Sequence, residues 1–250
     1  LLTAASLVLL AAAGFGTVAA LGLLKPSKPD SLPESAFGEE MDDGSREELV
    51  DPPVLGSGEA ADLLAIARIP PSHVEAGYQL TVSGLQIPEC EPSLPLTLAR
   101  YEPVPEAYAA VVKVRRTSGK GPFAIGLPHP SGGFVVLLDR EDKNGKKASF
   151  IGFASDRVAR ISNDPPRITD APVVVECLVS PDGVSVTQDG EPVLEWQGSP
   201  AGLHLGQGWG AKPPGAIFVG SNNSSSFEVQ EMRVSPLDEA SSVEADTGSN

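Results

Sequence analysis

Residues 173–197, VVVECLVSPDGVSVTQDGEPVLEWQ, decide the predicted fold, because they describe a meander of three short antiparallel strands. Every second residue from Val173 to Val179 is apolar, including Cys177, which is the period of a strand with one buried face. Pro-Asp-Gly at 181–183 then predicts a turn.

Asp189-Gly190 is the strongest short signal for a two-residue hairpin. Such a loop places Gln188 opposite Glu191 and Val186 opposite Val193, so that an apolar residue faces an apolar one. The pattern therefore predicts the register of this hairpin as well as its existence.

Strand-like runs recur through residues 54–237, and within that range only residues 60–68 have a helical pattern. The lack of a repeated strand–helix–strand pattern argues against a parallel doubly wound sheet. The predicted fold class is all-β, an antiparallel β-sandwich or jelly roll spanning residues 54–237. The predicted strands are 108–115, 123–127, 134–139, 148–154, 173–179, 184–188, 192–196, 216–220 and 227–234.

The last predicted strand changes parity along its length. Phe227 and Val229 would face one side of the sheet, but Met232 and Val234 would face the other. A β-bulge near residues 230–231 would return all four side chains to one buried face.

Residues 1–24 contain no charged residue and are long enough to cross a bilayer as a helix, which predicts an N-terminal transmembrane helix or an uncleaved signal. Either interpretation exports the domain that follows residues 1–24, and Lys25 and Lys28 leave the orientation in the membrane open.

Residues 25–53 are rich in proline and acids and are interpreted as a linker. Residues 238–250 are interpreted as a disordered acidic tail. The predicted localisation is membrane-anchored and extracytoplasmic, with membrane lipid as a partner through residues 1–24.

The chain carries 18 basic and 33 acidic residues, a net charge of −15, which argues against nucleic acid as a partner. Two cysteines cannot form a disulfide scaffold or a four-cysteine zinc site. Whether Cys90 and Cys177 pair is left open, with a buried free thiol as the default for Cys177.

Five short motifs describe turns and core positions. They are Asp62-Leu63-Leu64, Tyr108 at the start of the first long strand, residues 189–198, Phe218-Val219-Gly220 and residues 233–237. In this order they resemble a group of bacterial concanavalin A-like (laminin G-like) jelly-roll domains, and the resemblance covers about three quarters of the chain. It implies the fold and placement after a membrane span, sometimes downstream of a serine/threonine kinase-like module. Tyr78 stands where these domains often carry Trp.

Three aromatic residues are the candidate ligand-binding residues, because sugar-binding surfaces use aromatic faces. Trp209 lies in a Gly-Gln-Gly-Trp-Gly stretch, where an exposed ring is expected, although capping the sandwich edge is the preferred role. Tyr101 is expected in a loop. Trp196 ends a hairpin strand, and its parity favours packing.

We assign no catalytic residue and no metal ligand from the sequence. No pair of same-face carboxylates of the kind that glycoside hydrolysis requires is present on one strand. The stretch Asp139, Glu141 and Asp142 before Asn144-Gly145 is interpreted as an exposed hairpin tip. The Asp-Lys-Asn-Gly run at 142–145 lacks the other ligands of a calcium loop, and Ca²⁺ stays open as an unassigned cofactor.

The predicted function is a non-catalytic, lectin-like domain that binds or senses a carbohydrate or a protein at the bacterial envelope. The alternatives are a carbohydrate-active enzyme of concanavalin A-like fold and a purely structural ectodomain of a receptor kinase-like protein. A binding domain is expected to have a polar concave surface with an exposed aromatic ring and without clustered acids. An enzyme of this fold requires two carboxylates that converge from different strands.

Overall fold

The computed structural model describes residues 50–89, 94–141, 147–151, 167–205, 209, 212–221 and 225–237. The predicted anchor at 1–24, most of the linker, the tail at 238–250, Cys90 and the run at 142–145 lie outside these residues. Within the described ranges, no helix is both long enough and apolar enough to span a bilayer.

The described strands, in chain order, are β1 (Val54–Leu55), β2 (Ala61–Asp62), β3 (Gln79–Thr81), β4 (Gly84–Ile87), β5 (Leu96–Tyr101), β6 (Tyr108–Ser118), β7 (Phe123–His129), β8 (Gly132–Glu141), β9 (Lys147–Ile151), β10 (Val173–Ser180), β11 (Gly183–Gln188), β12 (Glu191–Gln197), β13 (Ala216–Ser221) and β14 (Ser226–Pro236). The helices described are α1 (Leu63–Ile66) and α2 (Pro71–Glu75), with a 3₁₀ turn at Pro200–Gly202.

Among the described residues, these strands form two sheets. One has six strands in the order β1-β5-β13-β7-β8-β9. The other has eight, in the order β12-β11-β10-β6-β14-β4-β3, with β2 paired to β14. Every pairing is antiparallel except the two-residue contact of β1 with β5. The predicted all-β antiparallel sandwich is confirmed.

Alternate residues of both sheets meet in one apolar core. Tyr108, which opens β6, is fully buried, and its hydroxyl donates to the Pro128 carbonyl at 2.7 Å. Tyr78, the departure from the resembled family, is also buried and donates to the Leu94 carbonyl. Cys177 is a buried free thiol on β10, and burial raises its pKa to about 12.

The predicted helical segment at 60–68 is partly helical. Ala61–Asp62 forms β2, and α1 follows, with the Asp62 carboxylate accepting from the backbone N–H groups of Leu64 and Ala65. This N-cap fixes the start of the helix, and Leu63 enters the core.

The hairpin of β11 and β12 follows the prediction at its tip and departs from it further along. Asp189 and Gly190 both have positive φ, and Gln188 lies opposite Glu191 as predicted. Val186, however, pairs with Leu194 rather than with Val193, because a bulge shifts the register. The extra residue buries Val193 and Leu194 together, which strict alternation would not allow.

The bulge predicted in the closing strand is confirmed. The register of β14 on β6 shifts between Val229 and Glu231. As a result Phe227, Val229, Met232 and Val234 are all buried in the core.

Candidate functional site

The face of the six-stranded sheet that points away from the core carries a second apolar cluster. Phe218 stands between Ile217 and Val219, which point into the core, so its ring emerges on the opposite face. There it packs among the side chains of Ala124, Val135, Leu137, Leu205 and Trp209.

Trp209 covers this cluster. Its ring stacks on that of Phe218 at a centroid distance of 6.1 Å and an angle of 30°, and only 3% of the residue is exposed. The expectation of an exposed ring in the glycine-rich stretch is therefore wrong, because the sheet supplies an apolar partner for the indole. Capping the sandwich edge is the role that the sequence favoured for Trp209, and the buried position of its ring agrees with that role.

A cleft of about 470 Å³ opens beside this cluster. One wall is formed by the turn at residues 130–131, which joins β7 to β8, together with residues 132–133 at the start of β8. The other wall consists of residues 204–205 and 212–216. Pro130, Pro213 and Pro214 offer exposed rigid rings, while His204 and Ser131 offer exposed polar groups. Leu127 and Phe218 contribute apolar surface at the sheet.

The turn at residues 130–131 is held by a local hydrogen-bond pair. The Ser131 backbone N–H donates to Nδ1 of His129 at 3.3 Å, and Ser131 Oγ lies 2.8 Å from the same nitrogen. Burial lowers the pKa of His129, which favours the neutral ring that these contacts require. The position of Ser131 in the cleft is thus fixed by its neighbour in sequence.

Lys212 brings a cation into the cleft. Its Nζ donates to the Pro95 carbonyl at 3.3 Å and lies 5.6 Å from the centroid of the Phe218 ring. The same carbonyl lies 3.4 Å from Nε2 of His73. Burial lowers the pKa of Lys212, because the ammonium is partly removed from water.

Tyr101 is not in a loop, and that prediction is wrong. It ends β5, its ring is buried against Tyr108 at 5.9 Å, and its hydroxyl donates to the Glu59 carbonyl at 3.1 Å. Burial raises its pKa to about 12. Only its backbone approaches the cleft, where its N–H donates to the Gly215 carbonyl at 3.0 Å.

Trp196 is half-buried near the end of β12 and packs against the core, as its parity predicted. Its Nε1 donates to the Ser199 carbonyl at 3.4 Å. The ligand-binding role proposed for the three aromatic residues stays a prediction, and the structure does not bring their rings together in the cleft lining.

Two carboxylates that received no site role from the sequence, Glu228 and Asp139, are buried on different strands. Glu228 accepts from Arg115 and Gln86 at 2.8 Å each and from Gln230 at 3.0 Å, and these contacts lower its pKa to about 2. Asp139 pairs with Arg116 at 2.8 Å, so its interpretation as part of an exposed hairpin tip is wrong.

Among the residues that the structure describes, no group of three or more histidine, cysteine or acidic side chains is placed to hold a metal ion. The cleft residues Ser131, His204 and Lys212 were not anticipated. The Gly-Gly pair at 132–133 and the Lys-Pro-Pro-Gly run at 212–215 are the sequence signals that mark its two walls.

No protein-family model matches the chain, and no curated protein matches it significantly. Among solved structures, it is similar to a protein of unknown function with a galectin-like fold from Bacillus subtilis, at 11% identity and a TM-score of 0.41, covering 64% of this chain and 86% of the other. It is similar to the exoplasmic/lumenal domain of VIP36 in a Ca²⁺/Man-bound form, at 11% identity and a TM-score of 0.44, covering 64% of this chain and 80% of the other.

It is also similar to the carbohydrate-binding module CBM66 from Bacillus subtilis, at 10% identity and a TM-score of 0.41, covering 73% of this chain and 99% of the module.

Proposed function

We propose that this domain binds carbohydrate without catalysis, in the cleft between residues 130–133 on one side and residues 204–205 and 212–216 on the other. The observation that carries the proposal is the cleft itself. Its volume of about 470 Å³ falls in the range of small-molecule sites. Exposed proline rings stand beside the polar groups of Ser131, His204 and Lys212, which suits a sugar with its C–H faces and hydroxyl groups.

The buried acids support binding over hydrolysis. Hydrolysis of a glycosidic bond needs one carboxyl group that keeps its proton until it reaches the leaving oxygen. Glu228 has a pKa of about 2, and Asp139 pairs with Arg116. These two acids have arginine partners, and neither lines the cleft.

Binding is tested on a glycan array with the full chain and a variant with a blocked cleft. The Cβ of a side chain at Gly133 would lie 3.9 Å from Leu205 Cδ1, with no backbone clash, so Gly133→Leu fills the cleft. Gly58→Leu adds the same bulk where nothing lies within 4 Å. We expect the wild type and Gly58→Leu to bind a glycan and Gly133→Leu to lose it. Silence across the array, with and without Ca²⁺, would contradict the proposal.

We further propose that residues 1–24 anchor the domain to a membrane and that residues 25–53 hold it away from the bilayer. The support is the charge-free apolar run followed by an acidic, proline-rich segment. Arginine near the centre of a spanning helix disfavours insertion by about 2.5–3.5 kcal/mol. We expect Leu10→Arg with Ala13→Arg to move the full chain from the membrane fraction to the soluble fraction. A wild-type chain that is already soluble would contradict the anchor.

A further inference from the structure

We infer that the cleft selects ligands that carry an anionic group, as an acidic sugar such as a uronic acid does, with Lys212 as the counter-charge. This inference rests on the proposed function, because it names the class of ligand for the same cleft. It is carried by the charges that line the cleft and by the environment of the Lys212 ammonium.

The cleft differs in charge from the rest of the chain. The chain has a net charge of −15, yet the described residues that line the cleft include Lys212 and His204 and no carboxylate. An acidic ligand therefore meets a cationic group in the cleft, although the protein as a whole repels anions.

Lys212 lacks an anionic partner among the described residues. An ammonium has three N–H donors, and the hydrogen bond that Lys212 makes to the described part of the chain goes to the Pro95 carbonyl. No described carboxylate forms a salt bridge with it. A partly desolvated cation that makes one hydrogen bond to the described residues gains most from a ligand that brings negative charge, because charge-assisted hydrogen bonds are the stronger ones.

The groups around Lys212 reinforce this preference. His73 approaches the same Pro95 carbonyl, and burial together with the nearby Lys212 charge lowers the pKa of His73. The Phe218 ring lies under the ammonium. Neither neighbour supplies a negative charge, so an anionic ligand meets no competing carboxylate among the described residues around Lys212.

The test compares one sugar in two charge states. The affinity of the full chain for oligogalacturonate is compared with its affinity for the methyl ester, which keeps the sugar ring and removes the charge. Binding of glucose 6-sulfate shows whether a sulfate group can replace the carboxylate. We expect the acid to bind roughly 10- to 100-fold more tightly than the ester. Lys212→Gln should remove that difference, and Lys212→Arg should retain most of it. Lys120→Gln, at an exposed lysine on another loop, serves as the charge control.

The outcomes separate the inference from the proposed function. Equal binding of acid and ester, abolished by Gly133→Leu, would overturn charge selection and leave the cleft as a sugar site. Acid binding that Lys212→Gln leaves unchanged would overturn the role of Lys212. Absence of any glycan binding would overturn both. If Lys212→Gln fails to fold, as judged by its melting curve, the comparison of acid with ester in the wild type still tests whether the cleft prefers the charged form of the sugar.

Discussion

The Phe218 ring lies directly over Gly126, its partner in the neighbouring strand: a Cβ at Gly126 would fall 2.0 Å from Phe218 Cε1. The absence of a side chain at this one position lets the ring lie flat against the sheet. Trp209 then stacks on Phe218, and the cleft opens beside the pair.

We therefore expect Gly126→Ala to displace the Phe218 ring and to lower the free energy of unfolding by about 1–3 kcal/mol, as overpacking does. Urea unfolding measures the change. Gly58→Ala is the matched control, because a Cβ there meets nothing within 4 Å, and its effect should stay within about 0.5 kcal/mol. Equal stability of the two variants would mean that the ring does not depend on the glycine.

Trp209→Ala separates a packing role from a ligand platform. Because Trp209 is 3% exposed, its removal should lower the free energy of unfolding by about 3–5 kcal/mol. Chemical denaturation without any ligand is the appropriate measurement. A loss below about 1 kcal/mol would instead favour the exposed ring that the sequence predicted.

The ion pair of Arg116 with Asp139 joins β6 of one sheet to β8 of the other at 2.8 Å, and both side chains are largely buried. Arg116 also donates to the carbonyls of Ile168 and Gly121 and stands 4.7 Å from the Phe227 ring centroid. Removing one partner of a buried pair costs about 3–5 kcal/mol, so we expect this loss for Arg116→Met.

The control for this pair is Arg100→Met, which removes a more exposed pair with Glu102 and should cost about 1 kcal/mol or less. The double variant Arg116→Met with Asp139→Asn should lose less than the sum of the single losses. Strict additivity would show that the two side chains do not interact.

Glu228 makes stability depend on pH in a defined window. Its pKa falls from 4.5 to about 2 on folding, so its contribution is present above pH 4.5 and is lost as the pH falls from 4.5 towards 2. We expect Glu228→Gln to be less stable than the wild type at neutral pH and to lack this part of the acid loss. Unfolding free energies between pH 7 and pH 3 provide the test. The exposed Glu191→Gln should keep the wild-type profile.

Local pattern was enough to predict the hairpin tip at Asp189-Gly190 and the bulge near residue 230, because period-two alternation and turn chemistry act between near neighbours. It could not place Trp209, whose burial depends on Phe218 lying over a glycine far away in the chain. The partners of Asp139 and Glu228 were missed for the same reason, since Arg116 and Arg115 lie on strands that only the tertiary fold brings together.

The pairing of Val186 in the hairpin of β11 and β12 was predicted incorrectly from the sequence for a different reason. The two-residue loop places Val193 opposite Val186 if the register continues unbroken, but the adjacent Leu194 is equally apolar and takes that position in the structure. The fold buries both by inserting a bulge, and burial in the core, which the sequence does not display, decides between the two registers.

Amide chemical-shift mapping of the full chain during titration with a glycan from the array tests the central claim most directly. The account predicts that the shifts concentrate at Ser131, Gly133, His204 and Lys212 and are lost in Gly133→Leu. Shifts that instead centre on Arg115 and Glu228, on the eight-stranded sheet, would place binding elsewhere and contradict the assignment of the cleft.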